Sequence, residues 1–186
     1  MRKFSFLILS VLFALLISCN NKKEETIVAN TDTTVVKPEE IRMEGIYQVE
    51  GDSLVIPYFD INLELSQKAK DRIVSTGETI IIDAFFSGEP KDTAGVELAE
   101  DGQYYIAEGK KEIKYGETAR FENIKFSRKQ YGFLADKDID LLINVYTGRH
   151  TTGDNLLDCD ILSDKMSKVK GKTFTLKGKL IYGDAK

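Results

Sequence analysis

Apolar and polar residues alternate along most of the chain from Gly45 onward, and a period of two predicts β-strands. Phe59, Ile61, Leu63 and Leu65 alternate with Asp60, Asn62 and Glu64. Ile139, Leu141, Ile143 and Val145 alternate with Asp140, Leu142, Asn144 and Tyr146. Phe174, Leu176, Leu180 and Tyr182 alternate with Thr173, Thr175, Lys177 and Lys179. The run from Thr79 to Phe86, TIIIDAFF, is apolar on both faces and is bounded by Gly77 and Gly88, which predicts a central strand. In TARFENIKF the phase of Phe121, Ile124 and Phe126 slips by one residue near Asn123, as a bulge would make it. Gly51-Asp52, Asp101-Gly102, Gly109 and Gly116 fall at short intervals, where hairpins want positive φ. Two segments carry a helical signature. Ser66 can cap SQKAKDRIVS, which stops at Gly77, and Ser163 can cap the single turn DKMSK.

Eight or nine short strands with one or two short helices predict an all-β domain over 42–186, built as a two-sheet sandwich. Each strand contributes an inner apolar position; Ile82, Phe121, Ile143 and Leu176 are expected in the core. GETARFENIKF followed by DIDLLINVYTGR resembles the consecutive late strands of immunoglobulin-like and transthyretin-like domains. The antibody hallmarks are missing, since there is no Trp and the two cysteines are Cys19 and Cys159. The resemblance therefore implies a fold and carries no function.

The amino terminus has a different pattern. Arg2 and Lys3 precede fourteen uncharged residues, Phe4 to Ile17. As a helix that run would span only about 21 Å, short of a hydrocarbon core of about 30 Å, so it predicts a signal peptide over 1–18. Leu16-Ile17-Ser18-Cys19 closely resembles the bacterial lipobox. The resemblance implies cleavage before Cys19 and acyl chains on that cysteine, making the chain a bacterial lipoprotein. Asn20 after the cysteine fits the outer membrane, and Lys23-Glu24-Glu25 is similar to the export signal of surface lipoproteins of the Bacteroidetes. Localisation is thus expected at the outer membrane, on its periplasmic face or at the cell surface. From Cys19 to Ile41 the chain is polar, rich in Thr, Asn and Glu, without a sustained period. Such composition buries too little apolar surface to order itself and predicts a flexible tether over 19–41.

Composition narrows the chemistry. The chain of 186 residues carries a formal charge of −4, and loss of Arg2 and Lys3 makes the remainder more acidic. An acidic protein lacks the electrostatic footprint of a nucleic-acid binder. Cys159 lies in LLDCDIL, where Leu157 and Ile161 share its phase, which predicts an inert thiol in the core. His150, the only histidine, sits with Arg149 in the polar loop GRHTTGDN over 148–155. With no serine or free thiol placed beside them, Arg149 and His150 are expected as contact residues and not as catalysts. Asp136, Asp138 and Asp140 alternate in ADKDID, and Asp158 and Asp160 flank Cys159. They lack the spacing of a calcium loop, and no metal or cofactor is expected. The thirty acids include candidates for a glycosidase pair, but the lack of Trp weighs against it, and no glycine-rich phosphate loop occurs. Tyr104-Tyr105 must put one ring on each face of a strand, one in the core and one outside.

Together these features predict a tethered, non-enzymatic envelope lipoprotein whose domain binds another envelope or secreted protein. An inhibitor or immunity-type lipoprotein against a toxin or lysozyme is the alternative, and a hydrolase is the third class.

Overall fold

The computed structural model describes residues 41–183 with the exception of residue 94. The signal peptide expected over 1–18, Cys19 and all but the last residue of the tether expected over 19–41 lie outside the described residues. Twelve strands and three short helices follow one another as β1 (Met43–Glu44), β2 (Tyr47–Glu50), β3 (Ser53–Val55), β4 (Phe59–Leu65), α1 (Gln67–Thr76), β5 (Ile80–Gly88), β6 (Tyr104–Ile113), β7 (Ala119–Phe121), β8 (Lys125–Ser127), α2 (Arg128–Phe133), β9 (Asp140–Thr147), β10 (Leu157–Cys159), β11 (Leu162–Lys165), α3 (Met166–Val169) and β12 (Thr173–Leu180). The domain is all-β and sandwich-like, as the alternation predicts. Its strands fall into three four-stranded sheets, ordered β1-β2-β3-β8, β10-β12-β4-β7 and β11-β9-β5-β6.

β5 and β12 each lie inside a sheet. β5 is central, paired antiparallel with β6 on one side and β9 on the other. β12 lies between β10 and β4 and pairs parallel with β4, Leu176 opposite Leu63. The local pattern does not distinguish this pairing from an antiparallel one, because both have a period of two. Helix α1 starts where the Ser66 hydroxyl accepts the Ala69 N–H at 3.3 Å, and stops at Gly77, whose φ of 69° is left-handed.

Four local expectations are corrected. The phase slip at Asn123 is not a bulge: β7 pairs with β4 and β8 pairs with β3, so the chain changes sheets there, with Asn123 at φ 61°. Gly109 is not a turn. It sits mid-strand opposite Ala84, where a Cβ would approach Ile124 Cδ1 to 2.5 Å and Phe121 Cδ1 to 3.2 Å. Ser163 does not cap a helix. It pairs with Leu142 in β11, and the following turn begins after Lys165 with no side-chain cap. Tyr182 lies past the end of β12 and is exposed. The six residues of α2 went unpredicted, although Ser127 and Gln130 close a reciprocal capping box there.

The core is one cluster. Phe59 and Phe121 are cross-strand partners with rings stacked at 5.0 Å, and Phe86 meets Phe59 edge-on at 6.3 Å. Tyr47 packs edge-on against Phe126 and Tyr131, and its hydroxyl accepts the Ile139 N–H at 3.1 Å. Ile82, Phe121, Ile143 and Leu176 are all buried, as expected.

Candidate functional site: the 148–155 loop and the sheet face beside it

The loop begins where β9 ends. Thr147, fully buried, and Asn155 close its base: Asn155 Oδ1 accepts the N–H groups of Thr147 at 3.0 Å and Leu157 at 3.1 Å. The hydroxyl oxygen of Thr147 accepts the Leu156 N–H at 3.1 Å. The middle of the loop is held from beneath by Glu78, a residue on the connection between α1 and β5 that is only 3% exposed. Its carboxylate accepts the backbone N–H of His150 at 3.1 Å, of Thr151 at 2.8 Å and of Thr79 at 3.2 Å, and also the Thr151 hydroxyl. Burial alone would raise its pKa. The donors, Thr151 foremost, outweigh that effect and bring it down to about 2.

Fixed in this way, the backbone turns its side chains outward. Arg149 adopts a left-handed φ of 62°, unusual for a residue with a side chain, and its guanidinium lies 5.8 Å from the Tyr146 ring. The His150 ring donates from Nε2 to Glu112 Oε1 at 2.6 Å. The Thr79 hydroxyl donates to the same oxygen at 2.5 Å, and these two donors hold the Glu112 carboxyl below its usual range. Both Thr79 and His150 point at one acceptor, so neither is aligned to deprotonate the other. Both predicted contact residues, Arg149 and His150, are exposed.

The loop continues into the outer face of β9-β5-β6. Asp83, in the middle of β5, lies opposite Lys110 on β6 and Asn144 on β9. It is 4% exposed, yet it stands on the face away from Ile82 and Ala84. Its Oδ2 accepts the Tyr146 hydroxyl at 2.7 Å and pairs with the Lys110 ammonium at 3.2 Å. Its Oδ1 is sealed from solvent and has no hydrogen-bond partner. Sequence reasoning missed both Glu78 and Asp83. The available signal for Asp83 was the lone acid inside TIIIDAFF, a run otherwise without a charge.

The other sequence candidates fall elsewhere. Asp136 and Asp140 pair with the Lys165 ammonium at 3.1 and 3.0 Å, and the Asp138 carbonyl accepts from it at 3.0 Å. That corner holds the chain's own cation, and no group of three or more potential ligands free for a metal stands out among the described residues. Tyr104 is buried, while Tyr105 is outside, its hydroxyl bonded to Asp101 at 2.8 Å and its ring edge-on to Phe85 at 6.0 Å.

Cys159 does not share a buried face with both Leu157 and Ile161. It ends β10, half-buried, opposite Gly178, and Ile161 beyond it is exposed. Burial, with help from the carboxylates of Asp158 and Asp160, pushes its thiol from 9.0 up to about 12. Since the thiolate is the reacting form, alkylation at neutral pH is expected to run roughly a thousandfold slower in the native chain than in denaturant. Rapid native labelling by iodoacetamide would contradict this.

Among the described residues no helix is long and apolar enough to cross a membrane. Comparison with protein-family models, curated proteins and solved structures finds no match for this chain.

Proposed function

We propose that the chain is an outer-membrane lipoprotein, anchored through Cys19, whose domain is a non-enzymatic binding module that meets an envelope or secreted protein through the 148–155 loop. The observation that carries the binding role is the fixation of that loop by Glu78. A buried carboxylate orders the backbone, and the side chains of Arg149 and His150 are left exposed. A contact loop ordered in advance has already met much of the entropic cost of association. The anchor is supported by Leu16-Ile17-Ser18-Cys19 and by the polar residues that follow. The acidic charge of the chain favours, as a second reading, an inhibitor of a basic toxin or lysozyme, drawn in by electrostatic steering.

The test uses the full chain in cells. Cys19→Ser is expected to move the protein out of the membrane fraction or to leave the uncleaved precursor. A variant that is processed normally and survives salt washing on the membrane overturns the anchor. Envelope cross-linking of the native chain is expected to give discrete adducts that Arg149→Ala/His150→Ala abolishes, with the unfolding midpoint unchanged, because both side chains are exposed. Adducts that persist in the double variant overturn the loop as the contact surface.

A further inference from the structure

The geometry points to a carbohydrate subsite on the outer face of β9-β5-β6, in which Asp83 and Asn144 take the hydroxyl groups of a neutral sugar between the Tyr146 and Phe85 rings. This goes beyond the loop-mediated binding proposed above and does not depend on the lipid anchor.

Four residues define the site by register. Asp83 and Asn144 are directly opposed on neighbouring strands, so their side chains share one face. Phe85 is two residues along β5 on that face, and Tyr146 is two residues along β9. The acid and the amide are thus flanked diagonally by two half-buried rings.

Asp83 Oδ1 is, with Asp60 Oδ1, one of two buried side-chain oxygens without a hydrogen-bond partner among the described residues, and the one that adjoins this face. A carboxylate oxygen shut off from water without a donor is costly, and proteins retain such atoms seldom. The other oxygen, Oδ2, is fully engaged by Tyr146 and Lys110. The free oxygen is acceptor-only, so whatever completes it must donate a hydrogen bond. Lys110, half exposed, pairs with Oδ2 and also lies 3.6 Å from Glu108, so a second carboxylate stands ready to hold it if a ligand displaces it from Asp83.

Charge selects among donors. The Lys110 ammonium already balances Asp83, so an incoming ammonium or guanidinium would gain little and would meet a like charge. Glu108 and Glu112 border the same face and oppose an anion. A neutral donor remains. Asn144 adds one acceptor and two amide protons beside the carboxylate, a set that matches adjacent hydroxyls, each of which both donates and accepts. The rings supply flat apolar surface of the kind on which the C–H face of a sugar rests.

The purified full chain would be tested on an array of neutral oligosaccharides spanning glucans, mannans, galactans, xylans and N-acetylhexosamine oligomers, with affinities taken from titration of the best binder. The native chain is expected to bind at least one class. Asp83→Ala and Asn144→Ala are each expected to weaken that binding about 10- to 100-fold, the loss of a hydrogen bond to a charged or well-placed group. Asp83→Ala also takes the acceptor from the Tyr146 hydroxyl and the partner from Lys110, so its melting temperature is expected to fall, and its binding is read below that midpoint. Asn144 is exposed, so its variant reports on binding in an intact fold. No binding across the array overturns the proposal. So does undiminished binding by both variants, or saturable capture of an oligoarginine peptide in place of any glycan.

Discussion

Replacing Glu78 with Ala is expected to destabilise the domain by about 3 kcal/mol or more, measured as a shift in the urea midpoint at pH 7. The variant leaves the backbone N–H groups of Thr79, His150 and Thr151 without their acceptor, and an orphaned buried donor is more expensive than a lost surface contact. Glu78→Gln separates charge from shape. It keeps one acceptor oxygen but turns an NH₂ towards groups that also donate, so most of the loss should remain. The pH dependence has a definite sign. The folded carboxyl is depressed from 4.5 to about 2, so the unfolded chain binds the proton more tightly. The stabilisation is complete above the ordinary carboxylate pKa and is lost as the pH falls from about 4.5 through about 2. Other carboxylates add to acid unfolding, so the diagnostic quantity is the difference between native and Glu78→Gln stability at each pH. That difference should shrink steadily across this window. A difference that stays flat would show that the carboxylate does not hold the loop in its charged form.

Truncating Phe121 to Ala is expected to cost about 3–5 kcal/mol, the range for removing a buried aromatic ring. Phe121 lies at the end of β7, stacked on its cross-strand partner Phe59, with the Gly109 backbone close behind it. Little can collapse into the vacated space from that side, since Gly109 has no side chain to offer. The midpoint in urea should fall with the slope unchanged, as for a lost contact in a two-state domain. A cost under about 1 kcal/mol would place Phe121 outside the core.

Much of this architecture was legible because strand periodicity, caps and turn residues act locally. TIIIDAFF could be placed in the middle of a sheet from its double-sided apolarity, and α1 was bracketed correctly by Ser66 and Gly77. The failures share one physical origin, which is that the neighbour across the sheet is not written in the local pattern. A one-residue slip at Asn123 reads the same for a bulge and for a change of sheet. Gly109 reads as a turn until Ile124 and Phe121 are seen above it. The loop holding Arg149 and His150 was recognised from its polarity, but its fastening was not. Glu78 lies more than seventy residues earlier in the chain, where a glutamate after a helix stop looks like ordinary surface. Asp83 was visible as an intrusion into an apolar run, yet only the register shows that it faces Lys110, Asn144 and, diagonally, Tyr146.

The placement of β12 bears on the order in which the molecule can assemble. The strand that separates β10 from β4 comes near the end of the described chain, and its parallel partner β4 was made more than a hundred residues earlier. Until Thr173–Leu180 arrives, β4 has only the short β7 beside it, and β10 has no ladder in its sheet at all. Closing so distant a pair is entropically slow, and partial chains cannot rehearse it. Closure of this sheet is therefore gated by the arrival of Thr173–Leu180: a ribosome or chaperone holding the emerging chain handles an unlocked sheet until that strand is made.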